Sequence, residues 1–449
     1  MNVFGPALRR FSPPSAAKET DGETAAVKQL SFYSLFVLAI ALIALVVGCS
    51  GETDSTSTTV TAPLTTAEAS TTPTTRASTT TTAPPSTTTT NPTPTTAPTT
   101  VSVETPEGSV TLSARQLAGQ RVIYSYAGLT PPKDLLSLIR RGEAAGVIFF
   151  ADNISTRAQI KAVIATFEQA NESAENPVRA PLLLMADQEG GGVRRLPGAP
   201  VLSQKGIGRS TDPAGEAAKA GAGAAENLSG VGMNVNLSPV LDVYRQPGGF
   251  EDKSGRSYSA SPEVVANLGA AFIRSQQEGG VAATAKHFPG LGAATALQDT
   301  DARPVTLKVS TESLRSVDEF PYKAAIQAGV RLVMLSWAVY PGLDAKMPAG
   351  LSSTIIKEEL RDRLGFQGVT VTDSLGAMAL QAFGSPRHRA LLAAQAGMDL
   401  LLCAAGQVAQ GQQAFSGLYD RYLDGTLARE DFQAAAQRVI DLRFSLEAR

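Results

Sequence analysis

Eight short apolar runs punctuate the stretch from residue 107 to 449, and most of them are continuous, without alternation of polar and apolar positions. They are RVIYSYAG (121–128), GVIFFADN (146–153), PLLLMADQEGG (181–191), MNVNLSPVLDV (233–243), VAATAKHFPG (281–290), RLVMLSWAVYP (331–341), GVTVTDSLG (368–376) and GMDLLLCA (397–404). A strand with one wet face alternates, whereas a strand covered on both faces reads as an unbroken apolar run, as in parallel sheets. Helical spacing fills the intervals at 211–228, 262–277 and 311–328. In the tail at 429–446, Phe432, Ala436, Val439 and Ile440 share one face. Eight strands interleaved with helices predict an α/β fold, a (β/α)8 barrel. An open, doubly wound sheet is the competing architecture.

Upstream of this domain the composition changes twice. Residues 30–48 carry no charge and end at Cys49. Nineteen residues of helix at about 1.5 Å each span roughly 28 Å, close to the thickness of a bilayer core. Residues 1–49 therefore read as a signal, lipoprotein or membrane-anchor segment. Val46-Val47-Gly48-Cys49 resembles the lipobox of bacterial lipoproteins, which makes Cys49 the candidate lipidation site; an uncleaved helix is the alternative. Residues 50–106 read as a disordered Thr/Ser/Pro-rich linker: from 51 to 100, 24 of 50 residues are Thr and four are charged, too little apolar surface for a core. The domain at 107–449 is thus expected outside the cytoplasm, tethered to the membrane on a stalk.

A formal net charge of −2 gives no reason to expect nucleic acid as a partner. Two cysteines, Cys49 and Cys403, exclude a disulfide framework, and Cys403 reads as a buried small hydrophobe. Two histidines, His287 and His388, leave no zinc-ligand spacing. Phosphate-binding loops, nucleophile elbows and the dinucleotide fingerprint are missing, so no cofactor and no metal are expected. What remains is a set of polar residues at strand ends: Asp187, Asp242, Lys286, His287 and Asp373. In a barrel these ends converge on one mouth. A single Asp there is often a helix cap. Several carboxylates with a cation and an imidazole point instead to acid–base or covalent chemistry on a neutral polyol.

DQEGGGVRRLPG (187–198), LSPVLDVYRQPGG (237–249), SGRSYSASP (254–262), AKHFPGLG (285–292), MLSWAVYPGLDAKMPAGLS (334–352), LGFQGVTVTDSLGAMAL (364–380) and AGMDLLL (396–402) resemble glycoside hydrolase family 3. The similarity is strongest to its single-domain bacterial β-N-acetylglucosaminidases. The resemblance implies that Asp373 is the nucleophile of a retaining reaction on a β-glycoside of cell-wall or extracellular glycans. It implies that Asp187, Arg195, Arg256, Lys286 and His287 bind substrate, the four cations also keeping Asp373 ionised.

One loop departs from that pattern. Where the family's β-N-acetylglucosaminidases carry an Asp-Ser-His whose histidine is the general acid/base, this chain has Asp299-Thr300-Asp301. Leu291 stands where KHFPGHG has its second histidine, and Trp337 where a histidine follows the sixth strand, hinting at a different sugar contact. His388 lies elsewhere and reads as a surface residue. Two expectations follow. Either Asp301, or Asp299, supplies the proton, or hydrolysis is weakened and the barrel serves as a surface glycan-binding module.

Overall fold

The computed structural model of the protein describes residues 100–446. The segment at 1–49 with Cys49, and the linker up to residue 99, lie outside the described residues. Among those described, no helix is long and apolar enough to cross a membrane.

All eight apolar runs contain a strand of one sheet: β1 (Val122–Tyr124), β2 (Gly146–Ile148), β3 (Leu183–Ala186), β4 (Val235–Asn236), β5 (Ala282–Phe288), β6 (Leu332–Leu335), β7 (Val369–Thr372) and β8 (Leu401–Leu402). Their spatial order is β7-β6-β5-β4-β3-β2-β1-β8, and every pairing is parallel. The two ends of that order meet. Val371 bridges Leu400 in parallel, and the Thr372 N–H donates to the Leu400 carbonyl at 3.0 Å. The sheet is thus a nearly closed barrel, not an open doubly wound one.

Why the runs are unbroken is visible in the packing. Leu183, Met185, Ala282, Val369 and Val371 belong to one buried cluster inside the barrel, while Leu184, Ala186, Ala283 and Ala285, of opposite parity, belong to a second one under the helices. Both faces of each strand are dry. The inward parity has a chemical consequence, because side chains two residues apart share a face. Continuing it past the strand end places Asp187 after Met185, Lys286 within β5 and Asp373 after Val371, all on the barrel's inner surface at its C-terminal mouth.

Helix starts follow local chemistry. Asp212, Ser261 and Ser385 each cap a helix with their side-chain oxygen, and each is followed by a proline in the first turn. These begin α1 (Pro213–Ser229), α2 (Pro262–Glu278) and, after β7, α4 (Pro386–Ala396). The last helix, α5 (Arg429–Phe444), sends Val439 and Leu442 into the inner cluster.

Two expectations shift. The helix predicted at 311–328 is interrupted: a wide π-type turn, Leu314–Asp318, precedes α3 (Phe320–Gln327). Pro321 explains the break, since it has no N–H to continue the ladder back to Val317. The ordered domain also begins before residue 107. Thr100–Thr105, assigned from composition to the linker, pairs antiparallel with Gly108–Ser113, and Gln437 of α5 bonds the Glu104 backbone in both directions. Val103 and Leu112 are buried there, a two-residue alternation that the surrounding threonines conceal.

Candidate active site

The mouth holds an alternating chain of opposite charges. Arg195 meets Asp187 at 3.3 Å, and the Lys286 ammonium donates to Asp187 and Glu189 at 2.8 Å each. Arg256 donates two parallel bonds of 2.9 Å to Glu189 and one of 3.1 Å to Glu251. Burial pushes Asp187 and Glu189 toward protonation, but the facing cations outweigh it and hold both below the usual carboxylate range. Burial likewise opposes the charge on Lys286, and Asp187 and Glu189 reverse that, raising it. Asp187, Glu189, Arg256 and Lys286 thereby hold one another in their charged forms.

The register of β5 slips against β6 at this point, Met334 pairing with Lys286 and Leu335 with Phe288. Such an irregularity re-aims side chains. Lys286 reaches toward β3, while His287 bonds Asp242 through Nδ1 at 2.7 Å. Asp242 also accepts the Leu291 N–H at 2.6 Å, so the leucine in the family's histidine position is buried and contributes its backbone only. Burial lowers the His287 imidazole, and the Asp242 carboxylate more than offsets this.

Asp242, Glu251 and His287 bring ligand-type atoms within 4.8 Å of one another. Glu251 is pushed up to about 7 by burial, against the pull of Arg256 and with the help of Asp242. Neither Glu189 nor Glu251 stood out in the sequence. Glu189 had a usable signal, two residues beyond Asp187 in a strand-end turn; Glu251 had none, because its relation to the mouth depends on how the 244–260 segment folds.

Asp373 is half-buried, and the turn after it is pinned from three sides. The Ser374 N–H donates to Asp373 Oδ1 at 2.7 Å, the Leu375 N–H donates to Leu402, and Arg389 bonds the Leu375 carbonyl. The Trp337 indole N–H donates to the Ser374 carbonyl at 2.8 Å. Trp337 is 1% exposed, so the tryptophan supports this turn from beneath and offers no open face to a sugar. Arg195, Arg256, Lys286 and His287 all have other carboxylates as their bonded partners, and none of their ion pairs is with Asp373.

The loop that departs from the family pattern is anchored beside Asp373. The Met378 N–H donates to the Asp301 carbonyl at 3.0 Å and the Ala379 N–H to Thr300 at 3.1 Å. The two aspartates of this loop differ in what they do. Asp299 spends an oxygen on the Asp301 N–H at 2.9 Å, closing its own turn. Asp301 stands at the mouth with its residue surface open to solvent. Its carboxyl is raised to about 7, first by the charge of Asp373, then by the protein that withdraws water from its inner side, then by Asp299. His388, by contrast, is exposed on α4, and Cys403 is fully buried with its thiol held up by burial.

The arrangement is a half-buried carboxylate, a second carboxyl poised near neutrality beside it, and a wall of ionised donors and acceptors. The model of the glycosyl hydrolase family 3 N terminal domain matches residues 113–442. The chain belongs to glycosyl hydrolase family 3. It is 42% identical over 347 residues to an uncharacterized secreted glycosyl hydrolase of Arthroderma benhamiae, covering 77% of this chain and 97% of that one. A beta-hexosaminidase of Xanthomonas campestris pv. campestris is 33% identical over 287 residues, 62% of this chain and 83% of the other. Among solved structures, the family 3 beta-N-acetylglucosaminidase from Paenibacillus sp. superposes with a TM-score of 0.69 at 32% identity; the match covers 75% of this chain and 64% of that one, just under two thirds of its length. The beta-N-acetylhexosaminidase from Beutenbergia cavernae gives 0.66 at 31% identity, over 74% and 98%. This family 3 chain is a glycoside hydrolase.

Glu189 is 2% exposed and neutralises both Arg256 and Lys286. Removing one partner of a buried ion network leaves uncompensated charge, which costs about 3–5 kcal/mol. Glu189→Ala is therefore expected to lower the unfolding free energy of the domain by that amount, read as a lower urea midpoint, far more than loss of Glu216 from the exposed Lys219–Glu216 pair would. Equal midpoints for the two variants would refute a structural role for the network.

Proposed function

We propose that this chain is a retaining β-glycosidase of the β-N-acetylhexosaminidase type, with Asp373 as nucleophile and Asp301 as general acid/base. The observation that carries this is the placement of Asp301: two backbone hydrogen bonds tie its loop to the segment that follows Asp373, and Asp373 is the strongest influence on its proton. A carboxyl poised near 7 gives and takes protons efficiently at neutral pH.

The two steps follow from the same electrostatics. Asp373 attacks the anomeric carbon while Asp301 passes its proton to the departing oxygen. Once Asp373 is esterified its charge is gone, and with it the main cause of the raised Asp301 pKa. Asp301, now a carboxylate with a lowered pKa, takes a proton from the incoming water, whose oxygen displaces Asp373. Asp187, Arg195, Arg256, Lys286 and His287 are assigned to the sugar hydroxyls, with Glu189 and Glu251 holding Arg256 in place. A barrel kept only for binding glycans would have no need of a proton-bearing Asp301 beside Asp373, so the binding-module alternative is not favoured.

N-acetylhexosaminides are the proposed substrate class because relatives of that activity match most of the domain. An extracytoplasmic site, with residues 1–49 as anchor and Cys49 as lipid acceptor, is proposed from the apolar run at 30–48 and from the secreted description of the Arthroderma relative. Cell-wall glycans would suit that location. A screen of p-nitrophenyl β-glycosides decides the sugar: the N-acetylglucosaminide is expected to be turned over best, and a preference for the glucoside would overturn the assignment.

A further inference from the structure

Among the described residues five large apolar side chains are exposed: Leu129, Val201, Leu202, Leu297 and Met378. All five lie on segments that leave the C-terminal end of a barrel strand, after β1, β3, β5 and β7. None lies on the solvent face of a main barrel helix or on a loop entering a strand. Single exposed apolar residues need no explanation, but their confinement to the face that carries the chemistry marks a ligand-facing surface.

Two of the five belong to the segments that carry or hold the proposed proton donor. Met378 is 46% exposed, and its N–H holds the Asp301 carbonyl at 3.0 Å. Leu297 is 73% exposed and sits four residues before Asp301 on the same loop. A general acid lies next to the glycosidic oxygen, so the group beyond that oxygen must lie against the segments that hold Asp301. The ionised residues Asp187, Glu189, Arg256 and Lys286 are bonded to one another on the sugar side of the mouth. Beside the polar Thr295, Gln298 and Arg303, the Asp301 segments offer the departing group exposed hydrocarbon at Leu297 and a polarisable thioether at Met378, which adapts to flat apolar partners.

We infer that Met378 and Leu297 build an apolar leaving-group subsite, and that the enzyme takes β-glycosides whose aglycone presents an aromatic or alkyl face next to the glycosidic oxygen. This rests on Asp373 and Asp301 acting as proposed above. In the second step an alcohol that fits the same subsite competes with water. Its oxygen bonds the anomeric carbon, the bond to Asp373 breaks, and the alcohol proton passes to Asp301.

The experiment supplies the full chain with p-nitrophenyl β-N-acetylglucosaminide and equal concentrations of benzyl alcohol and methanol. Benzyl and methyl glycosides are then quantified by mass spectrometry. Wild type is expected to favour the benzyl product about tenfold or more, and Met378→Ser and Leu297→Ser each to cut that ratio roughly fivefold. Because the ratio is read within one reaction, it does not depend on how much active enzyme each variant yields. A wild-type ratio near one, or a ratio unchanged in the double variant, overturns the subsite while a trapped adduct on Asp373 leaves the mechanism standing. Absence of that adduct with a fluorinated glycoside overturns mechanism and subsite together.

Discussion

Asp373→Asn is expected to abolish turnover of every glycoside, activated or not, by about 10⁴-fold or more. The change is nearly isosteric, and the amide oxygen can still accept the Ser374 N–H that Asp373 Oδ1 accepts now. The turn is also pinned independently by Trp337, Arg389 and Leu402. The variant should therefore unfold at the wild-type urea concentration while losing all covalent labelling by a fluorinated glycoside. A good leaving group cannot rescue it, because the missing step is formation of the bond to the anomeric carbon. A second readout is electrostatic. With the charge at 373 removed, the Asp301 carboxyl should titrate below its wild-type value of about 7, since Asp373 is the first cause of that elevation. Turnover within tenfold of wild type, or an unchanged Asp301 titration, would remove Asp373 from the role.

Much of this was legible in the sequence, for reasons that can be stated residue by residue. The eight runs announced a parallel sheet because barrel strands are dry on both sides. Asp187, Lys286 and Asp373 then follow from parity alone, each an even number of positions from Met185, Ala282 or Val371 on the inner face. Relations between distant segments were not legible. Glu189 and Glu251 are drawn together by Arg256, 67 and 5 residues away, and no local pattern encodes that meeting. Trp337 read as a sugar contact because it takes a histidine position, yet a neighbouring turn covers it completely. The helix at 311–328 kept its periodicity on paper, while Pro321 cost it a backbone bond. Choosing Asp301 over Asp299 also needed the fold: spaced two apart in sequence, they are equivalent until one is seen spending its oxygen on the other's N–H.

That choice yields the sharpest expectation for this family 3 member. Asp301→Ala should lose about 10²–10⁴-fold on alkyl or sugar glycosides, whose leaving oxygen needs a proton, and retain glycosyl-enzyme formation on p-nitrophenyl glycosides, which need little. Azide, a nucleophile that requires no base, should restore turnover of the aryl substrate and give the β-glycosyl azide. The pH dependence carries the sign. A carboxyl raised to about 7 is protonated below that value, so wild-type kcat/KM should fall as pH rises through it. In Asp301→Ala that alkaline fall should vanish, whereas Asp299→Ala should keep it, with a lower rate from a loosened turn. Loss of the alkaline limb in Asp299→Ala alone would exchange the two roles. A uniform loss on all substrates in Asp301→Ala, with the limb intact and no azide effect, would show that the proton comes from elsewhere. His287, which acts electrostatically on Asp301 and whose pairing with Asp242 favours its protonated form, would then be the next candidate, and Asp242→Asn would be the variant expected to move the limb.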